Sequence, residues 1–149
     1  MTENPVTIVS AGPMVRATLE IPGCPPARAL AAFTDPATLV HWWRGVLSTT
    51  LTPGGPYTVR FPQLGRAMTG QVVGYEPASR LEFTWAWDHE PPAVPRTVLV
   101  TVAGAAAGRT VLTVVHGPYG DGAAEEVARR EHREGWEYFL PRLGELLAG

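Results

Sequence analysis

At 149 residues, with 45% hydrophobic and 17% charged side chains, the chain has the composition of one folded globular domain spanning residues 1–149, not that of a disordered segment. Its 12 basic residues are all arginine and face 14 acidic ones, a net charge of -2 that argues against nucleic acid or an anionic membrane surface as a partner. Cys24 is the single cysteine, so no internal disulfide forms and a cytoplasmic location is expected, and no apolar run is long enough to insert into a membrane.

Met1 to Asn4 reads as a loose end, with residues 1–5 flexible. Val6 to Ile21 then reads as one long strand or as two strands divided at Gly12 and Pro13. Val15, Ala17, Leu19 and Ile21 alternate with Arg16, Thr18 and Glu20, which turns one face inward and the other to water. Cys24 follows beside Pro25 and Pro26 in a loop, and an inert thiol is expected there. Ala27 to Phe33 has the pattern of a short helix. Asp35 as cap and Pro36 at the first helical position start a second one that runs to about Trp43.

From Gly45 onward the period switches to two. The expected strands are Val46 to Leu51, Pro56 to Phe61 after a Gly54-Gly55 turn, Ala67 to Tyr75, Arg80 to Trp87, Arg96 to Ala103 and Arg109 to His116. Turns fall at Gln63 to Gly65, Pro77 to Ser79, His89 to Pro95 and Gly104 to Gly108. Leu81, Phe83, Trp85 and Trp87 share one face of their strand, and Leu112 and Val114 carry His116 inward with them.

Asp121 to Leu147 closes the chain as an amphipathic helix. Ala128, His132, Gly135, Trp136, Phe139, Leu143 and Leu146 fall on one stripe, with Glu126, Arg130, Arg133, Glu134 and Glu137 opposite. Asp121 is placed to cap it, Glu125 and Glu126 suit the positive end of its dipole, and Gly144 and Gly149 are candidate stops. Pro141 predicts a bend or two helical pieces. Gly135 stands mid-helix at about 1 kcal/mol relative to alanine, on the buried side, where a missing side chain leaves room for a strand or a ligand. A strand, two small helices, an antiparallel meander and a long closing helix make an α+β fold whose curved sheet wraps the last helix.

Several fragments then carry a family resemblance. Pro25-Pro26-Ala27-Arg28-Ala29-Leu30, Phe33-Thr34-Asp35-Pro36 and His41-Trp42-Trp43 come first; Gly54-Gly55, Gly70-Gln71-Val72, Glu76 through Leu81 and Phe83-Thr84-Trp85 follow. Thr110-Val111-Leu112, His116-Gly117 and Glu134-Gly135-Trp136 complete the order. From about Arg16 onward the chain resembles the activator-of-heat-shock-protein-90-ATPase-like family, within the START/SRPBCC (birch-pollen-allergen-like) superfamily. The resemblance implies a helix-grip fold, in which an antiparallel sheet of about six to seven strands curls around the C-terminal helix and leaves a cavity. Members of the wider superfamily bind lipids, sterols, hormones or polyketides there, and some cyclise polyketides or hydrolyse reactive compounds. This chain departs from the family pattern at Pro141 and in the Pro-rich turn His89 to Pro95.

Such a cavity binds through apolar area and a few polar groups that orient the guest. Trp42, Trp85, Trp87 and Trp136 fall on inward faces or at the entrance, where flat rings stack on a hydrophobic guest. Phe83 and Phe139 join them, while Phe61 and Tyr75 read better as core or surface. His116 and His132 are the polar candidates, since an imidazole both donates and accepts. The expected ligand-binding set is therefore Trp42, Phe83, Trp85, Trp87, His116, His132, Gly135, Trp136 and Phe139.

No carboxylate is in phase with either histidine, so no catalytic residue is assigned, and a non-enzymatic role is favoured. Asp88, His89 and Glu90 read as a solvated turn and not as a metal site, and the chain has no phosphate loop, serine elbow or other cofactor motif. The expected partner is a small hydrophobic molecule, held by a monomer or homodimer. A chaperone-interacting module and a polyketide cyclase or hydrolase using a cavity histidine are the alternatives.

Overall fold

A computed structural model describes residues 6–89 and 96–148. The expected loose end at residues 1–5, most of the Pro-rich turn and the stop at Gly149 lie outside the described residues. The first alternating stretch forms two strands, β1 (Val6–Ala11) and β2 (Met14–Ile21). They are joined through Gly12 at φ +61°, a left-handed conformation that glycine takes without a steric penalty. Val15, Ala17, Leu19 and Ile21 are all buried, as their alternation requires.

Two short helices follow, α1 (Pro26–Ala31) and α2 (Pro36–Trp42). Asp35 caps α2 by accepting from the Ala37 N–H, with Pro36 at the first helical position, where a missing amide removes nothing the helix uses. The meander then runs through β3 (Val46–Thr49), β4 (Tyr57–Phe61), β5 (Arg66–Thr69), β6 (Val72–Glu76), β7 (Arg80–Trp87), β8 (Arg96–Ala105) and β9 (Arg109–Gly117). The strands join in the order β1-β2-β9-β8-β7-β5-β4-β3, with β6 also paired to β7, into one antiparallel nine-stranded sheet. Nine exceeds the expected six or seven because both long stretches are divided.

The expected single strand from Ala67 to Tyr75 is one of those. Both β5 and β6 pair with β7, Met68 opposite Trp87 and Tyr75 opposite Leu81. Between them the chain is pinned to Thr84, whose hydroxyl accepts from the Gln71 N–H. Gly70 there lies so close to β7 that a Cβ would sit 1.8 Å from the Thr84 carbonyl oxygen. The break is a close backbone approach that only glycine tolerates.

The chain closes with α3 (Ala123–Ala148), a single 26-residue helix with Pro141 inside it, so the expectation of two pieces does not hold. It begins later than expected: the Glu126 N–H bonds to the Gly122 carbonyl, which puts the cap position on Gly122 and not on Asp121. Trp136, Leu140, Leu143 and Leu147 form its buried row, and Leu146 is 37% exposed, a correction to the expected stripe. Eleven residues make just over three whole turns, so Leu147 returns close to the azimuth of Trp136 and Leu146 does not. Gly144 is buried within the helix and does not stop it.

This row packs against β2 and α2 and joins one core with residues from both short helices and the sheet. Each buried leucine contributes about 1.5–3 kcal/mol through the apolar surface it removes from water. The Arg28 guanidinium donates to the Leu147 carbonyl at 3.2 Å, tying α1 to the negative end of α3. The sheet thus grips the helix as the resemblance implies.

Candidate functional site

Among the described residues nothing lies within 4 Å of where a Cβ on Gly135 would stand, so none of the described strands uses the gap that glycine leaves. A cavity of about 220 Å³ opens there between helix and sheet. Trp85 and Trp87 reach it from β7, His116 from β9, and His132, Trp136 and Phe139 from α3. Trp43, Phe61, Leu64, Arg66 and Glu131 complete the lining.

Two residues of the expected set are elsewhere. Trp42 is fully buried behind Trp43, its indole N–H donating to the Ala32 carbonyl at 2.9 Å. Phe83, two residues deeper along β7 than Trp85, stacks on Tyr57 with ring centroids 3.9 Å apart. Tyr57 in turn donates its hydroxyl proton to the Phe33 carbonyl. Both rings fill core instead of lining the cavity. Phe61 moves the other way, buried and yet part of the lining, while Tyr75 packs partly buried against the core.

Trp43 is the lining residue that periodicity missed. It follows the last residue of α2 as its C-cap, so the helical pattern says nothing about its direction. Its ring lies 5.2 Å from Trp42, 6.0 Å from Trp85, 5.4 Å from Trp136 and 6.0 Å from Phe61. Trp87 extends the series, 5.4 Å from Trp85 and edge-on to it. Aromatic contacts of this kind are each worth about 0.5–1.5 kcal/mol beyond burial, which makes this wall stiff.

The two histidines stack on each other, centroids 4.6 Å apart and planes 5° from parallel. His132 Nε2 accepts from the Trp87 indole N–H at 3.2 Å, and its Nδ1 meets the Tyr119 hydroxyl at 2.7 Å. With Nε2 accepting, the proton of a neutral ring sits on Nδ1 and is donated to the Tyr119 oxygen. His116 Nδ1 accepts from the Trp136 indole N–H at 3.1 Å, which places its own proton on Nε2. That nitrogen is buried, as is Trp85 Nε1, and neither finds a partner among the described residues.

Burial is the main reason both imidazoles stay neutral. It holds His116 well below the ordinary histidine range, with His132 and Arg96 adding to the effect. His132 is brought down to about 4, by burial first and by the Arg96 charge second, with Glu125 opposing. Tyr119 is the partner of His132 that the sequence does not reveal, because it lies in the connection between β9 and α3. Its ring sits under the Arg96 guanidinium at 4.8 Å and near Arg129 at 5.5 Å, and burial raises its hydroxyl above the usual phenol range. Arg96 is itself buried and pairs with Glu125. The Glu125 carboxyl is lowered by the Gly120 N–H that it accepts and then by Arg96.

The geometry therefore provides an apolar, aromatic cavity with a neutral polar floor. Among the described residues no group of three or more His, Cys, Asp or Glu side chains is placed to hold a metal ion. Cys24 is buried, its thiol raised by that burial, away from the cavity lining.

A sequence profile of the family described as Activator of Hsp90 ATPase homolog 1-like protein matches residues 23–148. Among solved structures, DynU16, a protein of the dynemicin biosynthetic locus, is 30% identical with a TM-score of 0.77. The alignment covers 92% of this chain and 48% of DynU16, so this chain spans about half the length of that relative. MLL2253 from Mesorhizobium loti is 23% identical, covering 89% of this chain and 96% of the other at a TM-score of 0.73. An HSP90 activator from Plasmodium falciparum is 21% identical, covering 91% and 96% at a TM-score of 0.73. The last two likenesses carry the fold alone. A comparison with curated proteins finds no match.

Proposed function

Because this chain belongs to the Activator of Hsp90 ATPase homolog 1-like family, within the SRPBCC helix-grip proteins, we propose that it binds a small hydrophobic or aromatic molecule between the sheet and the C-terminal helix. The observation that carries this reading is Gly135. A helix that gives up about 1 kcal/mol of propensity, with nothing among the described residues within 4 Å of the missing side chain, keeps open a space that a larger side chain such as leucine would enter. The rings of Trp43, Phe61, Trp85, Trp87 and Phe139 around that space suit a flat apolar guest. At about 220 Å³, below the roughly 300–1,000 Å³ of sites for drug-sized ligands, it suits a guest of one or two rings.

The residues we assign to binding are Trp85, Trp87, His116, His132, Gly135, Trp136 and Phe139, with Trp43 added. A cytoplasmic location and a monomeric or homodimeric state belong to the same proposal. No helix of the described residues is long and apolar enough to cross a membrane. Native mass spectrometry of gently purified protein is expected to show a retained small molecule, and a panel of aromatic compounds to raise the melting temperature. Blank results in both overturn the reading.

The family's description favours a second reading, a module that touches a chaperone through the outer sheet surface. Recovery of Hsp90 in a pull-down, abolished by surface and not by cavity substitutions, supports it over the first. Histidine-based turnover has less in its favour: both ring nitrogens of His132 are engaged, and the acceptor nitrogen of His116 is taken by the Trp136 N–H, which leaves neither ring a free base.

A further inference from the structure

The polar groups of the cavity are unequally committed. Its acceptor nitrogens are taken, His116 Nδ1 by the Trp136 N–H and His132 Nε2 by the Trp87 N–H. Two donors are not: Trp85 Nε1–H and His116 Nε2–H have no partner among the described residues. The two rings lie 4.7 Å apart at 60°, and both side chains line the cavity. A buried donor without an acceptor is costly, and two side by side favour a guest that supplies one.

The chemistry of the surroundings narrows that guest. An alcohol or amine brings a proton of its own, and the imidazole acceptors that would receive it are in use. A carboxylate brings a charge that the interior does not balance. Arg96, the buried cation behind the histidines, is paired with Glu125, and the charged residues on the lining, Arg66 and Glu131, are exposed. A neutral carbonyl oxygen has two lone pairs, no proton and no charge, which matches two neighbouring N–H donors without acceptors.

Resting on the proposal that the cavity is a binding site, we propose that its guest is a flat aromatic ketone whose carbonyl oxygen takes the N–H groups of Trp85 and His116. Both nitrogens are screened from solvent, and both side chains border the cavity that the guest would enter.

The test compares 1-indanone with indane, the same bicyclic frame without the oxygen, by calorimetric titration of the wild-type protein and of Trp85→Phe. Phenylalanine keeps an aromatic wall and removes the indole N–H. The wild type is expected to prefer the ketone by roughly five- to tenfold, the worth of one net hydrogen bond. The Trp85 indole N–H resonance should move downfield with 1-indanone and not with indane. Trp85→Phe should lose most of the preference for the ketone over indane, whatever it does to the affinity for the bicyclic frame that the two compounds share. Equal binding of the two compounds by the wild type, or a preference that survives Trp85→Phe with no shift of the indole resonance, overturns the ketone assignment and leaves the cavity a binding site. Failure of both compounds to bind overturns the binding reading with it.

Discussion

Replacing Gly135 separates what this residue does for the helix from what it does for the cavity. In Gly135→Ala the new Cβ meets nothing within 4 Å, so no contact is gained and none is strained. What remains is helix propensity together with a less flexible unfolded chain, a gain of about 0.8–1 kcal/mol. For a chain of this length that raises the melting temperature by about 2–4 °C. Gly135→Leu keeps nearly all of that propensity and projects four carbons into a space of about 220 Å³. Its stability should match or exceed wild type, while indane binding falls at least about tenfold through lost apolar contact. Urea and thermal unfolding supply the first measurement, and calorimetric titration the second. A loss of more than about 0.5 kcal/mol in Gly135→Ala would show that the helix is packed there after all. Wild-type binding by the leucine variant would show that the guest sits elsewhere.

Stability should also follow the neutral state of His132. Its pKa in the folded protein is about 4, against about 6.5 for an unperturbed histidine, so between those values the unfolded chain holds more protons than the folded one. Stability is then complete above about pH 6.5 and falls as the pH drops toward 4, by up to about 3 kcal/mol from this group. His116 acts in the same direction, and Glu125, whose carboxyl is lowered, does so further into acid. Urea unfolding from pH 4 to 8 checks this, and a flat profile below pH 6.5 or a His132 resonance titrating near 6.5 refutes it. Glu125→Gln removes the charge opposite the Arg96 guanidinium, whose side chain is only 5% exposed. A loss of about 1–3 kcal/mol in denaturant unfolding is expected, and no loss would mean that water already screens the pair.

What the sequence revealed follows from where a period was clean. On β7 the alternation of Leu81, Phe83, Trp85 and Trp87 survives into the structure, and the Asp35-Pro36 start of α2 is where cap chemistry requires it. Periodicity assigns a side chain to a face but not to a depth on that face. Phe83 and Trp85 therefore looked equivalent, although one stacks under Tyr57 and the other borders the cavity. Residues outside a repeat have no phase at all, which hid Trp43 at the end of α2 and Tyr119 beyond β9. Gly70 gave no sign that Thr84 would lie against it, because that approach belongs to the pairing of strands and not to either strand alone. Both ring nitrogens of His132 are engaged, by the Trp87 indole and the Tyr119 phenol, and the phenol comes from a connection whose path only the folded chain defines.

All five tryptophans, Trp42, Trp43, Trp85, Trp87 and Trp136, belong to one connected array in which every indole lies within 6.0 Å of the next. Rings this close are expected to exchange excitation before it is emitted, including light captured by Trp42, which lies behind Trp43. Intrinsic emission therefore behaves as a single collective signal, and a quencher seated beside Trp85 dims the whole protein. If the cavity takes a guest as proposed, the array is expected to serve as an optical gauge of occupancy, with no label to attach and no side chain to alter.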